Sequence, residues 1–155
     1  MDFVENRIKI KGVEITPLKQ IIDERGGVFH VIKKSHPNFN IFGEVYISKV
    51  NYKYVKAWKF HKEMTQNFCV PYGFLKLVIY DNRKESDTYD IFNEFFLDPV
   101  SNYKLITIPK QLWYGFQCLQ PDYCLLLNIA SHEHDPSESL VLGVNNRIIN
   151  YDWNK

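Results

Sequence analysis

Residues 67–80, which read NFCVPYGFLKLVIY, decide the fold class of this chain. On each side of Gly73 stands a short run rich in β-branched and aromatic residues, and this pattern predicts two strands joined by a turn. Similar runs recur along the sequence without helical periodicity between them, which predicts an all-β sandwich or barrel. The predicted strands are 7–11, 13–16, 27–34, 43–52, 55–61, 67–72, 74–80, 92–97, 104–108, 112–119 and 123–130.

One domain is predicted for residues 1–155, because the chain contains no linker, low-complexity tract or internal repeat. A barrel with a lined cavity is favoured over an immunoglobulin-like sandwich, whose Cys…Trp…Cys pattern is absent. Strand alternation puts Lys59 and His61 on one face, opposite Trp58 and Phe60. One face is therefore expected to pack and the other to line the cavity.

Composition and charge exclude several functional classes. The chain is 45% hydrophobic and 15% aromatic, which argues against disorder, and its net charge of +1 gives no field that would recruit nucleic acid or an anionic membrane. No apolar stretch approaches the roughly 18 residues of a membrane span. Residues 1–5 lack the basic and apolar segments of a secretion signal. We therefore expect neither a nucleic-acid nor a membrane partner.

The cysteines Cys69, Cys118 and Cys124 are an odd number in a chain large enough to fold without disulfides. Cys69 and Cys118 lie in predicted strands, where a small apolar thiol is usually buried. These features predict buried thiols in a reducing cytoplasm.

His61 is the leading candidate for chemistry. It closes the predicted strand 55–61, at the mouth of the expected β structure. An imidazole has an ordinary pKa of about 6.5, so it can accept or donate a proton near neutral pH. A lone histidine also fits an ordinary surface or core position, and both interpretations stay open at this point.

Metal-dependent and nucleophilic sites are not indicated. A metal needs three or four converging ligands, but Glu63 stands two residues after His61, where a second histidine would be required. His132 and His134 alternate onto one side, but within the loop-like segment 131–139. The sequence contains no Gly-x-Ser-x-Gly motif and no phosphate-binding glycine loop.

The turn Asp23-Glu24-Arg25-Gly26-Gly27 places an arginine beside flexible backbone. Arg25 could bind a diphosphate through two parallel hydrogen bonds. A hairpin turn with solvated charges is the alternative, and both remain open here.

Several motifs together resemble the dTDP-4-dehydrorhamnose 3,5-epimerase family. The order and spacing of these motifs hold from about Gly12 to Trp153. The most specific part is the Asp-x-Arg-x-x-Ser-x-Thr-Tyr segment at 81–89. The other motifs are Asp23-Glu24-Arg25-Gly26, His61, Gly73, Ile108-Pro109, Gly115-Phe116 and Asn150-Tyr151-Asp152-Trp153.

The resemblance implies a cupin-type jelly roll, a homodimer that exchanges N-terminal strands, and no metal or other cofactor. It implies an epimerase that acts at C3, C5 or both on a nucleotide-linked 4-keto-6-deoxy sugar, with dTDP as the expected nucleotide, in cell-surface polysaccharide biosynthesis. The ketone acidifies the neighbouring hydrogens, a histidine removes one, and an enolate forms. His61 matches the family's base, and Arg25 matches the diphosphate contact.

The sequence departs from the family at four of the implied positions. Trp58 stands in place of an arginine, and Gln66 or a neighbour replaces a lysine that follows the base. Tyr114 replaces a histidine, and Asn128 falls near the tyrosine on the opposite face of the sugar. Gln66 could still donate a hydrogen bond to the enolate, and Tyr114 could return the proton.

The same alignment puts Tyr46, Trp58, Lys104 and Asn128 among the substrate-binding residues. The aspartate that orients the base in longer family members has no counterpart. An Asp or Glu from elsewhere would therefore have to fix the imidazole tautomer.

Three functions remain open. A nucleotide-sugar epimerase is favoured, with a sugar 3,4-ketoisomerase as its variant, because ketoisomerases of this fold carry a His-x-His pair that His61-Lys62-Glu63 lacks. A non-catalytic sugar-binding cupin is the second, motivated by Asn128. An unrelated β-barrel interaction module is the third.

Overall fold

The computed structural model describes residues 7–39 and 41–155. Across this part of the chain twelve strands form, and one three-residue 3-10 turn is present, so the prediction of an all-β fold is confirmed. The elements are β1 (Glu14–Pro17), β2 (Gln20–Asp23), β3 (Gly26–Phe29), β4 (Glu44–Asn51), β5 (Val55–His61), β6 (Gln66–Tyr72), β7 (Leu75–Tyr80), β8 (Phe92–Leu97), β9 (Lys104–Ile108), β10 (Trp113–Cys118), β11 (Tyr123–Ala130), η1 (Pro136–Glu138) and β12 (Ser139–Val141).

Two five-stranded antiparallel sheets make up the body of the fold. The first sheet has the order β1-β9-β6-β11-β4, and the second has the order β12-β5-β10-β7-β8. Strands β2 and β3 pair only with each other, as a separate hairpin. The segment that decided the fold class spans β6 of the first sheet and β7 of the second. Its turn is at Gly73, whose φ of 97° lies in the left-handed region that suits glycine.

An apolar cluster packs between the sheets. Phe68 and Ile106 of the first sheet belong to it together with Leu77 and Phe95 of the second, and all four side chains are buried. Each such side chain stabilises the fold by about 1.5–3 kcal/mol relative to an exposed position.

The C-terminal residues cover the outer face of the second sheet. Trp58, Trp113 and Trp153 form a second buried cluster there, together with Ile149 and other residues. The Nζ of the buried Lys76 donates a hydrogen bond of 3.1 Å to the Trp153 carbonyl oxygen and so fastens the tail. The predicted separation of faces is therefore confirmed for Trp58, which packs away from the space between the sheets.

The most specific motif of the sequence forms a closed loop after β7. The fully buried carboxylate of Asp81 accepts hydrogen bonds from the Arg83 guanidinium at 2.8 Å and from the hydroxyls of Ser86 and Thr88, each at 2.7 Å. Burial alone would raise the pKa of Asp81, but these bonds outweigh it and hold the pKa well below its ordinary value. This motif holds a loop together.

Four elements differ from the prediction by more than one residue at an end. Residues 7–11 are not a strand, because the Asn93 side chain binds the amides of Lys9 at 2.7 Å and Ile10 at 3.3 Å in place of a neighbouring strand. The predicted strand 27–34 is the four-residue β3. The sequence analysis missed β2 and β12, which are too short to show a clear alternation.

The cysteines also differ in part from expectation. Cys69 is a buried free thiol, as predicted, but Cys118 is joined to Cys124 in a disulfide. The turn between β10 and β11 brings the two Cα atoms to 5.6 Å, which is within the range that a disulfide spans. Since disulfides are rare in reducing compartments, the cysteines no longer argue for a cytoplasmic location, which stays a prediction.

Membrane insertion was tested against the described residues only. No helix within 7–39 and 41–155 is long and apolar enough to cross a bilayer. The expected lack of a secretion signal rests on residues 1–5, which lie outside the described residues.

Candidate functional site

A cavity of about 600 Å³ lies between the two sheets, on the side where β4 borders the first sheet and β5 and β12 border the second. Its wall combines charged residues with aromatic and aliphatic ones. The lining residues are Glu44, Tyr46, Ser48, Lys56, Ala57, Trp58, Lys59, Phe68, Tyr114, Phe116, Leu126, Asn128, His134 and Val141.

His61 ends β5 beside this cavity and is only 4% exposed. Its Nε2 lies 3.1 Å from the hydroxyl oxygen of Tyr114, and its Nδ1 contacts the Glu138 carboxylate. His61 does not itself line the cavity, whereas Tyr114, which its Nε2 contacts, does.

The environment of His61 favours a neutral imidazole. Burial lowers the pKa of His61, and the nearby charge of Lys59 lowers it further, while the hydrogen bond and charge of Glu138 only partly offset these effects. With Nδ1–H donated to the carboxylate, Nε2 keeps its lone pair and accepts a hydrogen bond from the Tyr114 hydroxyl. The ring is thus held in the tautomer that a general base requires.

Glu138 is held by the backbone that follows β5. It belongs to η1, whose first turn is capped by the Asp135 carboxylate at the Ser137 amide. The second carboxylate oxygen of Glu138 accepts from the amides of Glu63 at 3.1 Å and Met64 at 3.3 Å. Burial would raise the pKa of Glu138, but the bonds from His61 and these amides outweigh it and lower the pKa. The expected carboxylate partner of the base therefore exists, supplied from a different segment.

Tyr114 joins the base to the cavity. It stands on β10, next to β5 in the second sheet, and burial raises its pKa well above the ordinary value of a phenol. Tyr114 therefore stays protonated at neutral pH and can donate a hydrogen bond or a proton.

Tyr46 and Asn128 of the first sheet line the cavity, and Gln66, which does not line it, is bonded to Asn128. The amide nitrogen of Asn128 donates to the Tyr46 hydroxyl at 2.9 Å and to the side-chain carbonyl of Gln66. Gln66 and Asn128 are each 1% exposed, yet Gln66 Nε2 and Asn128 Oδ1 have no partner among the described residues. A buried polar atom without a partner costs about 1–3 kcal/mol, so this cluster is suited to receive polar groups of a ligand.

Trp58 borders the cavity, but its indole ring packs outward. The ring contacts Tyr151 and Trp153 at centroid distances of 5.9 Å and 5.3 Å. The indole N–H is buried without a partner among the described residues. The structure thus puts most of this side chain in the outer cluster and leaves the neighbouring Lys59 on the cavity side.

Arg25 and Lys104 are not brought to the cavity. Arg25 lies in the β2–β3 turn, exposed, with its guanidinium 2.7 Å from the Asp23 carboxylate. This agrees with the hairpin-turn alternative for that motif. Lys104 is on β9, which is separated from β4 by two strands of the first sheet, and it does not line the cavity.

The histidines of segment 131–139 do not assemble a metal site. In residues 7–39 and 41–155, no three His, Cys, Asp or Glu side chains are grouped closely enough to hold a metal ion. His132 Nδ1 bonds to the Ser131 hydroxyl at 2.8 Å, and His134 lines the cavity.

Sequence comparison places the chain within a known family. A family model described as "FdtA: WxcM-like, C-terminal" matches residues 11–141, which is most of the chain. The chain belongs to this family. One relative is Agl13 of Haloferax volcanii, a probable low-salt glycan biosynthesis epimerase. It is 30% identical to this chain over 128 residues, and the match covers 81% of each chain.

Two solved structures are similar to this chain. A crystal structure of a dTDP sugar isomerase from Desulfovibrio desulfuricans G20 matches with a TM-score of 0.91 at 36% identity, covering 94% of this chain and 93% of that one. The dTDP-4-dehydrorhamnose 3,5-epimerase of Bacillus anthracis matches with a TM-score of 0.83 at 18% identity, covering 95% and 87%. At 18% identity, the match to the Bacillus anthracis enzyme shows a shared fold only. The predicted cupin-type jelly roll and the resemblance to nucleotide-sugar epimerases are therefore confirmed.

Glu138, a residue of the candidate site, was missed by the sequence analysis. Glu138 carries a local signal, since Asp135-Pro136-Ser137-Glu138 has the cap, proline and acidic residue of a helix start. That signal does not predict contact with His61, which lies 77 residues earlier. The contact arises because β12 pairs with β5, with Ser139 opposite His61. Lys59 was placed on the cavity face but was given no role.

Proposed function

We propose that this chain is a nucleotide-sugar epimerase that moves a proton at a carbon next to the ketone of a dTDP-linked 4-keto-6-deoxy sugar. The observation that carries the proposal is the contact chain Glu138–His61–Tyr114 at the cavity wall. A buried, neutral imidazole with one nitrogen fixed by a carboxylate is the arrangement that a general base needs.

The relatives support the substrate class. A 36% identical structure is described as a dTDP sugar isomerase, and a 30% identical relative is described as a glycan biosynthesis epimerase. The first description supports a dTDP-linked sugar as the substrate, and the second supports epimerisation in glycan biosynthesis.

In the proposed reaction, the Tyr114 hydroxyl turns from His61 Nε2 toward the substrate, and the freed Nε2 lone pair accepts the proton from the carbon next to the ketone. The electrons move to the ketone oxygen, and an enolate forms. The first-sheet cluster would stabilise this oxygen, because Gln66 has an amide nitrogen without a partner among the described residues. Preorganised donors of this kind contribute a large share of catalysis in enolate chemistry.

Inversion requires that the proton return from the other side of the sugar. Tyr46 is on the sheet opposite His61, and Asn128 orients its hydroxyl. Burial raises the pKa of Tyr46, which keeps the phenol protonated. A sugar held between the sheets would thus meet a base on one side and a phenol on the other, as epimerisation requires.

A 3,4-ketoisomerase is the second candidate. His61 and Tyr114 stand on neighbouring strands of one sheet, so together they could move a proton between adjacent carbons on one side of the ring. A binder without activity would keep the cavity but exchange no proton.

Proton NMR of the protein with dTDP-4-keto-6-deoxyglucose in D₂O tests the proposal. An epimerase replaces the C3 or C5 proton with deuterium and gives an epimer, whereas a ketoisomerase gives a 3-keto sugar. Affinity without deuterium incorporation would show a binding protein. Neither binding nor exchange, with GDP- and CDP-linked 4-keto sugars also tested, would contradict the proposed substrate class.

The variant His61→Asn should lose exchange by roughly 100-fold or more, because general base catalysis contributes about 10²–10⁴-fold. His30→Asn, at an exposed position on another segment, is the matched control and should retain exchange. Tyr114→Phe should slow turnover if the phenol takes part in proton transfer, and an unchanged rate would remove Tyr114 from that role. Full activity of His61→Asn would exclude His61 as the base.

We further propose that residues 1–155 form one domain that pairs with a second copy of itself. The β2–β3 hairpin supports this, because it joins neither sheet and exposes Ile21, Ile22 and Val28. An isolated two-stranded hairpin is marginally stable in water, so a covering partner would stabilise it.

A further inference from the structure

The disulfide between Cys118 and Cys124 joins the two sheets of the fold. Cys118 ends β10 of the second sheet, and Cys124 lies near the start of β11 in the first sheet. Both residues are fully buried and belong to the apolar cluster between the sheets. The bond is therefore a covalent link between the two walls that enclose the cavity.

The strands that carry this bond also carry residues of the candidate site. Because side chains alternate along a strand, Tyr114 lies on the same face of β10 as Cys118. For the same reason, Asn128 lies on the same face of β11 as Cys124. Tyr114 and Asn128 both line the cavity, and each is about 13 Å along its strand from the cysteine. The disulfide thus joins the two walls at the same distance from each of these residues.

Three connections that cross between the sheets meet at the disulfide. The β10–β11 turn lies between the two cysteines. The β4–β5 turn is bonded to it, because the Lys53 amide donates to the Cys118 carbonyl oxygen at 2.9 Å. The β6–β7 turn packs so closely that a Cβ atom at Gly73 would lie 2.7 Å from Cys124 Sγ. Since protein interiors are close-packed, a change of spacing at this point shifts strands of both sheets.

The surroundings of the two sulfur atoms suit thiols as well as a disulfide. The Gln120 carbonyl oxygen lies 3.3 Å from Cys118 Sγ. The Phe74 carbonyl oxygen lies 3.1 Å from Cys124 Sγ. In the reduced chain each S–H group has one of these oxygens as its hydrogen-bond acceptor. Cleavage replaces the bond by a contact between unbonded atoms and lengthens the sulfur–sulfur distance by roughly 1.5–2 Å.

The bond lies beneath an exposed turn. Pro121 and Asp122 of the β10–β11 turn are exposed, so local opening of this turn gives a small thiol access to the sulfur atoms. The thiolate of a low-molecular-weight thiol such as glutathione attacks one sulfur and forms a mixed disulfide, which a second molecule of the thiol resolves. Two protein thiols and one small-molecule disulfide result, so the electrons and protons that the cysteines gain come from the small thiols.

We infer that Cys118 and Cys124 are a redox-sensitive positioning pair, which sets the distance between the cavity wall of Tyr114 and the wall of Asn128. The inference rests on the proposed function, because proton transfer to a sugar held between the sheets depends on that distance. A displacement of about 1 Å can lower a rate roughly 100-fold. The oxidised chain is therefore the active form, and reduction separates the walls.

Steady-state kinetics of the full chain with dTDP-4-keto-6-deoxyglucose, after equilibration with reduced or oxidised dithiothreitol, tests this inference. Alkylation followed by mass spectrometry counts the free thiols in each sample. Reduction should lower kcat by about 10- to 100-fold with a smaller change in KM, and reoxidation should restore kcat. The double variant Cys118→Ser, Cys124→Ser should have the low kcat in both buffers, since the serine hydroxyls can use the same carbonyl acceptors. Cys69→Ala is the matched control, because it removes a buried free thiol of a different apolar cluster, and it should respond as the wild type does.

A structural readout separates this inference from the proposed reaction. The Phe68 ring of the first sheet contacts the rings of Tyr114 and Phe116 of the second sheet, at centroid distances of 5.2 Å and 6.3 Å. Nuclear Overhauser effects between these rings should weaken on reduction, whether or not the chain turns over this sugar. Redox-dependent ring contacts without activity in either state would overturn the proposed reaction and leave the wall spacing intact.

Several outcomes would overturn the positioning pair. Unchanged ring contacts or an unchanged kcat in fully reduced wild type would do so, as would a bond that resists excess dithiothreitol in the folded chain. A redox response that disappears in Cys69→Ala would assign the effect to Cys69. Loss of chemical-shift dispersion across the whole spectrum on reduction would show unfolding in place of a change in wall spacing.

Discussion

At the scale of single residues, the site depends on how a buried imidazole is kept neutral and correctly oriented. Burial lowers the pKa of His61, so the base form dominates at neutral pH. Glu138 acts in the opposite direction on this pKa, but it also fixes Nδ1 as the protonated nitrogen. The carboxylate is 14% exposed and is itself held by two backbone amides. Glu138 thus fixes the orientation of the base, while burial has the larger effect on its pKa.

Glu138→Gln should lower kcat by roughly 10- to 100-fold, less than the loss of about 10⁴-fold seen when the orienting aspartate of a serine protease is neutralised. The pH profile supplies a second readout. Activity requires neutral His61, so kcat/KM falls as the pH drops through the His61 pKa, which lies below its ordinary value. Since Glu138 raises that pKa, its removal should move the inflection to lower pH.

Steady-state kinetics across the acidic range would measure both effects. Glu133→Gln, an exposed neighbour in the same segment, is the control and should keep the wild-type profile. An inflection that stays in place or moves to higher pH in Glu138→Gln would contradict the assigned contact.

At the scale of elements, the loop after β7 should behave as a structural unit. Asp81→Asn removes the charge that Arg83, Ser86 and Thr88 share, and it should lower the free energy of unfolding by about 2–4 kcal/mol at neutral pH. The folded-state pKa of Asp81 is depressed, so this stabilisation is present above the unfolded pKa of about 3.9 and is lost as the pH falls below it.

Urea denaturation at several pH values checks this prediction. The difference between wild type and Asp81→Asn should be largest near neutral pH and should shrink below about pH 4. The exposed Asp87, paired with Lys11 at the surface, provides the control, and Asp87→Asn should change stability by less than about 0.5 kcal/mol. Equal effects of the two variants would contradict the structural role of Asp81.

The sequence predicted the long strands better than the short ones, for a physical reason. The alternation of β4 to β11 is visible because each of these strands has five to eight residues. Strands β2 and β12 have four and three residues, and their pairing depends on which neighbour is near in the folded chain. The same limit applies to the site: His61 and Tyr114 carry their own signals, whereas Glu138 acquires a role only when β12 pairs with β5.

Arg25 and Lys104 were assigned to the substrate site from the sequence, but neither lines the cavity. An alignment assigns them to the substrate by position in the chain, but the distance from the cavity is fixed by topology. Arg25 ended in a separate hairpin, and Lys104 on a strand away from the opening. Their substrate contacts stay predictions, because neither residue lines the cavity of the single chain.

At the scale of the whole molecule, the unpaired hairpin is the feature that calls for a partner. Ile22 is 66% exposed on β2, and its neighbours Ile21 and Val28 are also exposed. Ile22→Lys should convert the proposed dimer into a monomer, because a charge placed in an apolar contact loses its hydration. Sedimentation velocity would measure the change in mass.

Val100→Lys is the matched control for this test. Val100 is 87% exposed in the turn after β8, and its replacement should leave the mass unchanged. A wild-type chain that sediments as a monomer at all concentrations would contradict the proposed homodimer. So would an Ile22→Lys variant with the wild-type mass.

Strand β5 has one residue more than its partner β10, because Tyr114 is opposite Lys59 and Gly115 is opposite Ala57. This extra residue affects how the chain is aligned with its relatives. Trp58 is an insertion within a strand: if it is left out, Lys56, Lys59 and His61 alternate regularly with Ala57 and Phe60. If a relative lacks the bulge and the alignment places no gap here, Trp58 is aligned with a residue of that relative that belongs to the regular strand. The indole of Trp58 packs in the outer cluster, so the two aligned residues do not occupy equivalent positions. A basic residue that the alignment counts as replaced by Trp58 is then present one position later, as Lys59. Substrate preference inferred from such columns would be wrong for every relative that shares the bulge.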